Sequence, residues 1–81
     1  MIHKYQNIYG ISYVIAGNLK NTNEELKKLM QDIEEDKKIP FACVYVKMPA
    51  FMFQKFMESL REANLSYKEM ETRHGTFLVK F

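Results

Sequence analysis

The strongest hydrophobic pattern in the chain is the run Phe41-Ala42-Cys43-Val44-Tyr45-Val46, set between Ile39-Pro40 and Lys47-Met48-Pro49. It is apolar on both alternating faces and too short for a helix, which predicts a strand buried on both sides. Pro40 suits the first residue of such a strand, where a missing N–H does least harm. Pro49 stops it and suits the first turn of a helix. Upstream, Tyr9, Ile11, Tyr13 and Ile15 alternate with Gly10, Ser12, Val14 and Ala16. That period of two predicts a strand with one large-residue face and one small-residue face. Tyr5 shares the large-residue parity, so the strand can begin earlier. A hairpin pivoting near Asn7 is the alternative; otherwise residues 1–7 read as a loose polar lead.

Two stretches carry the helical period. Leu26, Leu29, Met30 and Ile33 form a narrow apolar stripe that predicts a helix over about 23–37. Thr22 and Glu25 stand at capping-box spacing before it. Glu24 and Glu25 suit its positive end, and Lys37 and Lys38 its negative end. Phe53, Phe56, Met57 and Leu60, supported by Ala50 and Ala63, predict a second helix over about 49–63, with Asn64 as a left-handed stop. Residues 66–73 then read as a strand dominated by Lys68, Glu69 and Glu71. His74-Gly75 makes a two-residue turn, and residues 76–81 return with Phe77, Val79 and Phe81 on one face and Leu78 on the other.

The predicted order is β-α-β-α-β-β. The last strand is apolar on both faces and belongs inside, whereas the charged strand before it belongs at an edge. The strand order that satisfies this is 1-2-4-3, and right-handed crossovers place both helices on one side. The expected fold is therefore an α+β two-layer sandwich, a four-stranded mixed sheet with two helices on one face and the other face uncovered, forming a single domain over 1–81.

Composition narrows the functional classes. Twelve basic residues against ten acidic ones give a net charge of +2, without the basic stripe of a dedicated duplex-DNA binder. This balance permits nucleic acid as a partner without requiring it. No window approaches the ~20 apolar residues of a membrane span, and the N-terminus lacks a signal-peptide pattern. Cys43 is alone, so no intramolecular disulfide forms, and within the most buried strand its thiol is expected to be inert. A cytoplasmic protein follows. The wealth of Lys, Asn, Ile, Phe and Tyr beside three Gly, two Pro and no Trp hints at an AT-rich coding genome, bacterial or viral. Met1 and a last strand that runs to the final residue suggest a whole small protein.

Candidate chemistry centres on the uncovered sheet face. If Phe41 and Tyr45 share it, their rings can stack on bases or pack against a second sheet in a homodimer. The opposite parity sends both into the core. Ala50, Phe51 and Met52 cannot all face one sheet, so Phe51 and Met52 are candidate partner contacts; the competing reading has Phe51 plugging the end of the sandwich. Arg73 and His74 at the hairpin tip, with Lys68 and Lys80 on its strands and Lys47 before the second helix, are candidates for tracking a phosphate backbone. An ordinary solvated turn with Gly75 at positive φ is the reading the sequence favours for them. Asp32, Glu34, Glu35 and Asp36 read as a solvated face or a surface for a basic protein, since no loop adds the oxygens a hard cation needs.

His3 and His74 have no partner at ligand spacing, and one cysteine makes no zinc set. Phosphate-binding and nucleophile-elbow motifs are absent, and Glu69 and Glu71 share a strand face without a cleft. The sequence thus predicts a non-enzymatic regulatory protein, with no cofactor, metal or membrane. It would act by binding another protein or itself, through helix two or the bare sheet face. The alternative is a module for RNA or single-stranded nucleic acid.

Overall fold

Alternation decides which side of the sheet is buried. A computed structural model describes residues 1–81, ordered as β1 (Ile2–Asn7), β2 (Gly10–Ile15), α1 (Thr22–Asp36), β3 (Cys43–Pro49), α2 (Ala50–Glu62), β4 (Glu69–Arg73) and β5 (Thr76–Lys80). Ile11, Tyr13 and Ile15 of β2, Val44, Val46 and Met48 of β3, and Val79 of β5 are buried, while their alternating neighbours are not. Every one of them joins a single core with the buried stripes of both helices. One parity is covered and the other is free, so both helices lie on the same side of the sheet. Right-handed crossovers that step across the sheet in one direction give this arrangement.

The sheet has five strands in the order β1-β2-β3-β5-β4, not four. The four expected strands keep their relative order, and β1 is added outside β2 as an antiparallel edge. Residues 2–7 are a strand rather than a loose lead, and Asn7 is the pivot. Its side-chain oxygen accepts from the amides of Tyr9 (2.8 Å) and Gly10 (3.2 Å), closing an Asn-Ile-Tyr-Gly turn with Asn first and Gly last, as a type I turn prefers.

The central strand is also shorter than its hydrophobic run. It begins at Cys43, not Phe41. The chain before it turns tightly: the Ala42 amide donates to the Ile39 carbonyl at 3.3 Å, Pro40 takes the second position, and Phe41 sits at φ 64°. This is the geometry of a type II turn, in which Pro favours the second place and the third requires positive φ. Cys43 is accordingly half-buried on the uncovered side rather than deep in the core.

The helices form close to where their stripes place them. α1 buries Leu26, Leu29, Met30 and Ile33. Its cap is Asn21, not Thr22; the Glu25 carboxylate accepts from the Asn21 amide at 3.1 Å, while the Thr22 hydroxyl donates to the Leu19 carbonyl. α2 buries Met52, Phe56 and Leu60, with Phe53 and Met57 partly covered. Phe53 stacks on Phe77 at 4.1 Å between ring centroids, and Phe56 meets Phe81 edge-on at 6.3 Å. Asn64 takes φ 57° and stops the helix as expected, with the Leu65 amide returning to the Leu60 carbonyl at 2.9 Å.

One polar group is enclosed with the core. Asp36, read from the sequence as part of a solvated acidic face, is buried and accepts a hydrogen bond from the Tyr13 hydroxyl. Lys4 approaches from β1, 3.9 Å from the carboxylate and 5.7 Å from the Tyr13 ring centroid. Burial pushes the Tyr13 phenol above its ordinary value, helped by its hydrogen bond to Asp36 and by the charges of Asp36 and Asp32. The folded chain therefore keeps its proton where the unfolded chain loses it. Stability linked to Tyr13 is complete below about pH 10 and falls as the pH rises beyond that. An ultraviolet titration should show one of the five tyrosines resisting ionisation until the protein unfolds, and Tyr13→Phe should remove that lag. A titration in which all five ionise together while the fold persists contradicts the buried pair.

Candidate interaction surfaces

The register of the sheet builds the uncovered face row by row. One row runs Tyr5, Ser12, Tyr45, Lys80 and Glu69 across the five strands; the next runs His3, Val14, Lys47, Leu78 and Glu71. Tyr45 thus lies on the open side. Phe41, expected to share that face, leaves the sheet altogether because its turn precedes the strand. The Lys80 ammonium sits 5.8 Å from the Tyr45 ring centroid, a cation–π distance. Ion pairs join Lys4 to Asp36 and Lys38 to Glu35; Lys47, Lys80 and Arg73 are among the basic side chains that form none, although Glu69 stands opposite Lys80 in the ladder.

The basic candidates separate into two groups. Lys47, Arg73 and His74 line one shallow hollow of about 350 Å³ with Glu71, Thr76 and Leu78. Lys68 and Lys80 lie at the opposite end of the hairpin, where the Lys68 amide donates to the Lys80 carbonyl at 2.7 Å. Four residues of strand, roughly 13 Å, separate them from the tip. His74 and Gly75 both have positive φ, which matches the turn type that two-residue hairpins favour.

The expected contacts at the start of α2 divide sharply. Phe51 is exposed, but Met52 is buried in the core and is unavailable to a partner. On a helix, consecutive side chains point about 100° apart, and alignment with Phe56 and Leu60 turns Met52 inward and Phe51 outward. Between α1 and α2 runs an open groove of about 560 Å³, lined largely by charged and amide side chains such as Lys27, Glu34, Lys55 and Glu58. No group of three or more His, Cys, Asp or Glu side chains converges as a metal site needs, and no helix is long and apolar enough to cross a membrane.

A site absent from the sequence reading appears at one end of the sheet. β2 and β3 run parallel and their ladder starts at the pair Gly10 and Cys43, so the turns that precede the two strands lie at the same end of the sheet. They carry Ile8-Tyr9 in the hairpin turn and Phe41-Ala42 in the type II turn. Ile8 is 91% exposed, Tyr9 78% and Phe41 104%, and Ile39 in the second turn is exposed too. Neither turn needs these side chains. The middle of the hairpin turn tolerates most polar residues, and the third position of a type II turn favours Gly or Asn. Phenylalanine there keeps a left-handed backbone that costs about 1 kcal/mol or more. The clue in the sequence was two large apolar residues inside Asn-x-x-Gly, and a bulky one after Ile-Pro. No protein-family model, no curated protein and no solved structure matches the chain.

Proposed function

We propose that this protein is a non-enzymatic, cytoplasmic interaction module that binds a protein partner through the apolar end formed by Ile8, Tyr9, Ile39 and Phe41. The observation that carries the reading is Phe41, a fully exposed aromatic held at φ 64° at a turn position where a small residue is cheaper. Apolar side chains that the fold leaves exposed at one end of the sheet mark a contact surface, and backbone strain collects at such places. The shallow, charged hollows support binding rather than catalysis, since enzymes favour enclosed, largely apolar pockets.

Capture from an extract of the source cells tests this, comparing the intact chain with an Ile8→Asp, Phe41→Asp double variant. Both positions are exposed turns, so the variant should fold normally by circular dichroism. A partner protein retained at least tenfold less by the variant supports the reading, and sedimentation distinguishes a foreign partner from a second copy. The same proteins captured in equal amount by both forms would sink it.

A further inference from the structure

We infer that the uncovered sheet face binds single-stranded nucleic acid, with phosphates over Lys47, Arg73 and Lys80 and bases on Tyr45 and Tyr5. The inference is independent of the apolar end, which lies beyond the ladder on another surface. It rests first on charge. Lys47, Arg73 and Lys80 all project from the free face, and none closes an ion pair, even Lys80 with Glu69 opposite it. Cations left unpaired on a sheet surface suit a polyanion that can neutralise several of them together. Lys47 and Arg73 share one hollow with His74 and Glu71, so two cations stand together there against a single carboxylate.

The second support is the placement of the rings. Tyr5 and Tyr45 occupy the same row two strands apart, roughly 10 Å at the usual strand spacing. His3 lies 6.3 Å from Tyr5 between ring centroids, extending the aromatic area. Lys80 over Tyr45 sets a phosphate-seeking charge beside a base-stacking surface, the combination by which single strands are held without sequence preference. Glu69 and Glu71 lie on β4 beside Lys80 and Arg73, so the bound backbone passes on their β3 side, where Lys80 and Lys47 stand, and reaches Arg73 only at the hairpin tip. No helix or ribbon projects from this side to enter a duplex groove, which selects unpaired bases.

The test is fluorescence anisotropy of the full chain with short labelled single-stranded RNA and DNA of mixed sequence, repeated over a salt series. Three phosphate contacts predict a slope of about −2 for log affinity against log salt, at about −0.7 per contact on a single strand. Lys47→Glu and Arg73→Glu should each weaken binding about tenfold and flatten that slope by about 0.7. Tyr45→Ala should weaken it by a similar factor with the slope unchanged, because stacking releases no counterions; Tyr5→Ala, at an exposed edge, repeats the measurement where folding is not in question. Phe41→Asn should leave oligonucleotide binding intact even if capture of a protein partner is lost. RNA and DNA should bind alike, since no contact distinguishing the sugar is evident. Absence of binding at low salt overturns the inference. So does binding indifferent to Lys47 and Arg73, or a self-associated form that buries Tyr45.

Discussion

Gly10→Ala should destabilise the protein by about 3 kcal/mol or more, placing it among the rare severe point substitutions. A Cβ built at Gly10 would lie 2.2 Å from the Cys43 carbonyl oxygen and 3.0 Å from its carbon, with φ at +154°. The obstacle is backbone of the central strand, which cannot retreat without breaking the β2–β3 pairing. A chain of 81 residues has roughly 4–12 kcal/mol of stability at typical values per residue, so this loss is a large fraction. Gly17 and Gly75 also have positive φ but open space around them. Alanine there should cost only about 1 kcal/mol from backbone strain. Urea unfolding of the three variants separates a steric clash from strain alone. A Gly10→Ala midpoint no lower than that of Gly17→Ala contradicts the close approach of the two strands.

The second large effect comes from two neighbours with opposite outcomes. Met52→Glu places a carboxylate in the core beside Phe56 and Leu60, where no cation is enclosed, and uncompensated buried charge costs several kcal/mol. The variant should be largely unfolded at neutral pH and recover partly in acid, where the carboxyl takes up a proton. Phe51→Glu changes an exposed side chain in the first turn of α2, which has no acidic residue. It should be neutral or stabilising by up to about 1 kcal/mol through the helix dipole. Thermal melts of the pair at neutral and acidic pH read both effects. Equal behaviour of the two variants would mean that α2 is rotated from the orientation described.

Much of this fold was legible because burial imposes a period. Ile11, Tyr13 and Ile15 alternate cleanly, Leu26 through Ile33 mark one helix face, and the charged β4 beside an apolar β5 dictates their order. Where burial is weak, the signal fades. β1 is exposed along five of its six residues, so nothing in its side chains separates a strand from a polar lead. Only the Asn7 and Gly10 turn residues marked it. At α2, Phe53, Phe56, Met57 and Leu60 made one plausible stripe and Met52, Phe56 and Leu60 another. Helix rotation chose the second as its deepest line, turning Met52 from a candidate contact into core.

The apolar end shows a different difficulty. Phe41 and Ala42 extend the hydrophobic run of β3, and residue type alone assigns them to the strand. Pro40 does signal a turn, but the residue after it should then be Gly or Asn. The conflict between an apolar residue and its backbone position was visible in the sequence, yet its resolution required the turn geometry. Local rules broken without structural benefit tend to mark functional positions. The tyrosines of the open face were half legible: period two could pair Tyr45 with Lys47, but only the register brought Tyr5 into the same row.

If Phe41 is retained for binding, replacing it with a residue suited to its backbone should strengthen the fold. Phe41→Asn keeps the left-handed turn position with a residue that tolerates it, and the side chain lost makes no core contact. A gain of about 0.5–1 kcal/mol is expected, raising the melting temperature by several degrees in a chain of this size, while capture of the partner is lost. A melting temperature that falls instead shows that Phe41 serves the fold, and the apolar end then loses its claim to be a binding surface.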